Sequence, residues 1–145
     1  MREEPGELNF NRQKDAIGNT LHEIAVNLDY GQFHVLGFSF GGAIAQKTTA
    51  EFPEYIIRCS TYNGLRGGKK TAELFEKRMK LYPITMNKPE IREFRHAKDI
   101  VSLQGGEALP TTPGNHYTFG SIDDQTTYID AHSLLFFNNN LPVAI

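Results

Sequence analysis

The stretch "HVLGFSFGGAIAQKTTAEFPE", residues 34–54, decides the fold. It passes from apolar residues through a serine set among glycines into a small-residue segment that stops at Pro53. "FHVLGF" (33–38) is short, β-branched and aromatic, which predicts a strand buried on both faces. "GGAIAQKTTAEF" (41–52) predicts a helix, so strand gives way to helix within a residue or two of Ser39.

Upstream, Ile17, Leu21, Ile24, Ala25 and Leu28 recur at helical spacing from Asp15 onward, and Gly31 follows as a stop signal. Residues 1–15, "MREEPGELNFNRQKD", read as a polar, unanchored lead-in. Downstream, "YIIRCSTYNG" (55–64) reads as a strand closed by Asn-Gly, and "TAELFEKRMKLY" (71–82) as a helix with Ala72, Phe75 and Met79 on one face. "EIREFRH" (90–96) reads as a third strand. Helix and strand alternate, which predicts an α/β fold with a mostly parallel sheet flanked by helices. Beyond Asp99 the chain is loop-rich, with a short helix expected around His132, although "HSLLFF" also suits a strand. Residues 16–145 form one expected domain, without internal repeats.

Composition excludes several classes. The chain has 145 residues, 39% of them hydrophobic, and a net charge of −2, which gives no electrostatic footprint for nucleic acid or anionic lipid. The basic residues of "RGGKKT" (66–71) and "FEKRMK" (75–80) lie among acidic ones and read as a solvated helix face. Cys59 is the single cysteine, so neither a disulfide framework nor a multi-cysteine metal site is expected, and its place is as a small buried hydrophobe. No apolar run approaches the roughly 20 residues of a membrane span. The polar N-terminus does not suit a signal peptide, so a cytoplasmic protein is expected, or a secreted one if the chain is a fragment.

Gly37-Phe38-Ser39-Phe40-Gly41 fits G-x-S-x-G between a buried strand and a helix, the setting a nucleophile elbow requires. There a strained backbone lifts the serine hydroxyl clear of the sheet, and crowding calls for small residues at Gly37 and Gly41. Gly42, Ala43 and Ala45 keep the helix close to the sheet. The Phe40 N–H, at the helix start, is aimed to hold an oxyanion. The bland alternative is a tightly packed β-to-α turn. A phosphate loop fits poorly, since no lysine follows the glycines, and "GLRGGKKT" (64–71) misses the P-loop spacing by one residue.

A nucleophilic serine needs a base and a carboxylate, in the chain order Ser, acid, His for this kind of sheet. The available acids are Asp99, Asp123, Asp124 and Asp130, and the bases His96, His116 and His132. Asp99 follows the third strand, where loops gather at the carboxyl edge of a sheet. His132 lies nearest the C-terminus, whereas His22 and His34 are poorly placed.

"REFRHAKDIVSLQGGEALPTTPGNHYTFG" (92–120) looks like the acid loop of the class 3 (fungal-type) triacylglycerol lipase family, and "HVLGFSFGGAIAQ" resembles that family's elbow. The likeness covers most of residues 16–137. It implies Ser39 as nucleophile, Asp99 as acid and His132, in "DAHSLLFF", as base. His116 matches a histidine near the family's active-site loop; the short span between Asp99 and His132 keeps it open as a rival base. Phe38 stands where the family usually has His, Phe40 where it has Leu, and Ser102 where it prefers Pro.

The resemblance also implies N-terminal strands that this chain lacks, which would carry the other oxyanion donor and a lid. The expected fold is therefore a partial α/β-hydrolase sheet. Phe38, Phe40, Phe119, Phe136 and Phe137 are candidates to line an acyl pocket, with plain core packing as the alternative. The expected activity is ester hydrolysis on lipid or other carboxylic esters, with no cofactor or metal. Thioesterase, acyltransferase or peptidase chemistry on the same triad, and a non-catalytic interaction module, are the alternatives.

Overall fold

The computed structural model describes residues 3–29, 31–83, 86–123 and 125–133. Helix α1 spans Glu7–Leu28, strand β1 Phe33–Phe38, helix α2 Phe40–Glu51, strand β2 Ile56–Tyr62 and helix α3 Lys69–Leu81. Strand β3 (Glu90–His96), strand β4 (His116–Phe119) and helix α4 (Tyr128–His132) complete the order. The four strands form one sheet in the order β1-β2-β3-β4, and every pair is parallel. The chain is thus α/β, as its alternating pattern predicts. β4 was not expected, because "HYTF" is too short and too exposed to stand out from a loop.

Helices α2 and α3 pack on one face of the sheet. Ala45 and Ala50 from α2, Phe75 from α3, Cys59 from β2, Ile91 from β3 and Leu109 from the loop before β4 form the core. The small side chains of α2 permit close approach: a Cβ on Gly42 would lie 2.5 Å from the Gly64 Cα. α1 packs outside α2, with Gly18 against the Phe52 ring.

The opposite face carries His34, Leu36 and Phe38 from β1, then Ser60, Tyr62, Arg92, Phe94 and Tyr117 by the strict alternation of the strands. Here the expectation for β1 fails. Leu36 is 62% exposed, so this strand is buried on one face only. Apolar composition alone cannot separate the two cases. Tyr62, Phe94 and Tyr117 stack as a ladder across three strands, with ring centroids 4.9 and 4.7 Å apart.

The lead-in reading is also corrected. α1 begins at Glu7, and Glu4 is docked against α3. The Glu4 carboxylate accepts the Lys70 N–H at 2.5 Å, the Thr71 hydroxyl at 3.2 Å and the Lys47 ammonium at 3.3 Å. α3 has Gly68 at its cap and thus no capping side chain of its own, so Glu4 supplies the negative charge its N-terminus favours. These are long-range contacts, which local sequence patterns do not reveal.

Candidate functional site

β1 passes into α2 through a single residue, Ser39. Ser39 sits at φ 53°, ψ −125°, a conformation L-residues avoid. Three backbone bonds hold it there. The Ser39 N–H donates to the Tyr62 carbonyl at 3.3 Å, and its own carbonyl accepts from Gly42 at 3.0 Å and Leu65 at 2.7 Å. The Leu65 loop is fixed in turn by the buried Gln46 amide, which donates to the Leu65 carbonyl and accepts from Gly67 and Leu109.

Crowding at the turn falls on Gly37, as expected, but not on Gly41. A Cβ on Gly37 would lie 2.8 Å from the Gly42 Cα and closer still to the Gly41 carbonyl oxygen. A Cβ on Gly41 would meet nothing within 4 Å. The two crowded positions are Gly37 and Gly42; Gly41 is not required by packing.

The candidate acid comes from the loop after β3. Asp99 is 1% exposed, and its carboxylate accepts the Ser102 N–H at 2.8 Å and the Val101 N–H at 3.4 Å. It therefore both anchors the single 3₁₀ turn Val101–Leu103 and offers an oxygen to a base. Two arginines brace this loop: Arg95 donates to the Ser102 hydroxyl and the Asp99 carbonyl, and Arg66 to the Ser102 carbonyl.

The candidate base arrives on α4. Thr127 caps this helix by accepting the Asp130 N–H, and His132 is its last residue. His132 Nδ1 lies 2.6 Å from Asp99 Oδ1, and its Nε2 lies 2.8 Å from Ser39 Oγ. An ionised carboxylate only accepts, so Nδ1 carries the proton and Nε2 is left to accept from the serine hydroxyl. The three side chains named from sequence, 93 residues apart at the extremes, are in one hydrogen-bonded line. The His132 side chain remains 26% exposed.

Phe40 is the first residue of α2, where the helix leaves its leading N–H groups without intrahelical partners. Phe38 stacks on the His132 ring, with centroids 5.0 Å apart and planes at 28°. Phe38 thus backs the His132 ring. His116 is exposed at the start of β4, 3.4 Å from the Glu93 carboxylate, and is not part of the Ser39–His132–Asp99 line. His96 is buried and accepts the Lys98 N–H. Asp123 and Asp130 are exposed, and Phe119 packs near Phe94. Asp124, Phe136 and Phe137 lie outside the described residues.

Cys59 offers no rival nucleophile, because complete burial pushes its thiol up to about 11. Among the described residues no cluster of His, Cys, Asp and Glu has the arrangement of a metal site, and no helix is long and apolar enough to cross a membrane. Comparison with known protein families, characterised proteins and solved structures finds no match to this chain.

Proposed function

We propose that the protein is a serine carboxylic-ester hydrolase built on a partial α/β-hydrolase sheet. The supporting observation is the continuous line from Ser39 Oγ to His132 Nε2 at 2.8 Å and from His132 Nδ1 to Asp99 Oδ1 at 2.6 Å. Such a line, rooted in a strained turn and a buried carboxylate, is more than packing requires.

The Ser39 oxygen attacks the ester carbonyl carbon while its proton passes to His132 Nε2. The Phe40 N–H, at the positive end of α2, faces the charge that develops on the carbonyl oxygen. As the tetrahedral species collapses, His132 returns the proton to the departing alkoxide, leaving an acyl group on Ser39. Water then attacks the acyl carbon, gives a proton to His132, and the acid leaves as Ser39 regains its hydrogen. Asp99 stays ionised throughout and holds the imidazolium in register. The likeness of the elbow and acid loop to class 3 lipases points to lipid or other carboxylic esters as substrates.

The test is intact-mass spectrometry after treatment with a fluorophosphonate, on the chain and on Ser39→Ala. One adduct on the native chain and none on the variant is expected, followed by turnover of esters of graded acyl length. A folded native chain that takes no adduct would refute the proposal.

A further inference from the structure

Asn63 ends the second strand at the point where three parts of the site meet. It is fully buried and takes φ 44°, a conformation asparagine tolerates better than most residues. Its backbone N–H donates to the Phe94 carbonyl at 2.8 Å, continuing the ladder one step past β2. Its side-chain oxygen accepts the His96 N–H at 2.8 Å, and its Nδ2 donates to the Ala131 carbonyl at 2.7 Å.

One amide thus ties the end of β3, three residues before Asp99, to the residue immediately before His132. α4 has only five residues and lies at the end of a long loop. The Lys98 ammonium also anchors the helix, donating to the Thr126 carbonyl at 2.9 Å, at its far end. The Asn63 bond acts on the backbone next to His132. Ala131 is fully buried beside it, so the carbonyl finds no water in place of the amide.

We infer that Asn63 is the positioning residue that sets His132 between Asp99 and Ser39. This inference rests on the proposed hydrolase reading. Asn63 touches no reacting atom; it acts by fixing the carbonyl one residue before the base. A shift of about 1 Å in a catalytic group lowers rate by roughly 100-fold, which makes a single buried bond at this place consequential.

The experiment measures the rate of fluorophosphonate labelling for the native chain, Ser39→Ala, Asn63→Ala and Asn63→Asp, with the urea midpoint of each. Asn63→Asp retains the acceptor for the His96 N–H and a residue suited to positive φ, and, assayed at a pH where its carboxyl is ionised, has no hydrogen to donate to Ala131. It therefore tests the Nδ2 bond with the strand end preserved. Labelling of folded Asn63→Asp should slow by roughly 10- to 100-fold.

The second readout is the downfield proton resonance of the His132 Nδ1–H···Asp99 bond. It should shift or broaden in the Asn63 variants; in a chain that is merely less stable, the folded fraction keeps it unchanged. Native chain labelled, with folded Asn63→Asp labelled equally fast and the resonance in place, overturns the role of Asn63 and leaves the hydrolase reading standing. A folded native chain that is not labelled overturns both.

Discussion

Replacing Gly37 by Ala separates the physical reading of the elbow from the motif that first suggested it. The added Cβ would lie 2.8 Å from the Gly42 Cα, against the 3.4 Å at which ordinary contact begins, and the Gly41 carbonyl is closer. Both neighbours are backbone atoms at the start of α2, so no side chain can turn aside. The strand and helix must separate by about 0.6 Å or more, and overpacking of this kind costs about 1–3 kcal/mol. The same displacement moves Ser39 away from His132 Nε2, now 2.8 Å distant, and should slow acylation roughly 10- to 100-fold. Gly41→Ala is the control. Its Cβ meets nothing within 4 Å, and alanine in a helix is favoured over glycine by about 0.5–1 kcal/mol. The assay pairs urea unfolding with the rate of fluorophosphonate labelling. Gly37→Ala matching the native chain in both, or Gly41→Ala proving equally harmful, would refute the reasoning.

Two further outcomes are expected. Glu4→Gln leaves the buried Lys47 ammonium without a counter-charge, facing only neutral acceptors such as the Gly67 carbonyl and the Thr71 hydroxyl, so it should destabilise by about 3 kcal/mol and lower Tm by roughly 6–12 °C. Adding Lys47→Met should restore much of the loss in calorimetry, and an unchanged Tm for the single variant would contradict the docking of the N-terminal segment. Glu90 is partly buried, which opposes ionisation, but bonds from Arg58, Arg92 and Asn115 hold its carboxyl below the usual glutamate range. Its contribution is therefore complete above the unfolded value, near 4.5, and fades as pH falls through the lowered folded value. Glu90→Gln should flatten the acid side of a stability–pH curve measured by urea unfolding, and an equal slope would argue against that ion cluster.

The elements around Ser39 were legible because their signals are local. A short apolar strand, a small-residue helix stopped by Pro53, and alternating patterns over β2, α3 and β3 each declare themselves within a dozen residues. Ser39, Asp99 and His132 were nameable from chain order and from the class 3 lipase resemblance, and the fold brings all three into contact. β4 escaped notice because four exposed residues carry no period, and the N-terminal segment because Glu4 works across 66 residues of chain.

By itself, then, the order of residues determined an α/β chain with a parallel sheet and a serine at a strand-to-helix turn, since backbone preference and hydrophobic period act between near neighbours. Tertiary structure alone decided that β1 is covered on one face, that Gly41 is free of crowding, and that Phe38 stacks on the His132 ring. It also separated His132 from His116, whose residue types are identical and whose difference is one of place. Asn63 shows the reason most plainly: in sequence it closes a strand with a glycine, and only packing brings its amide to His96 and Ala131. Distances between residues remote in the chain are set by how layers stack, and no local pattern encodes them.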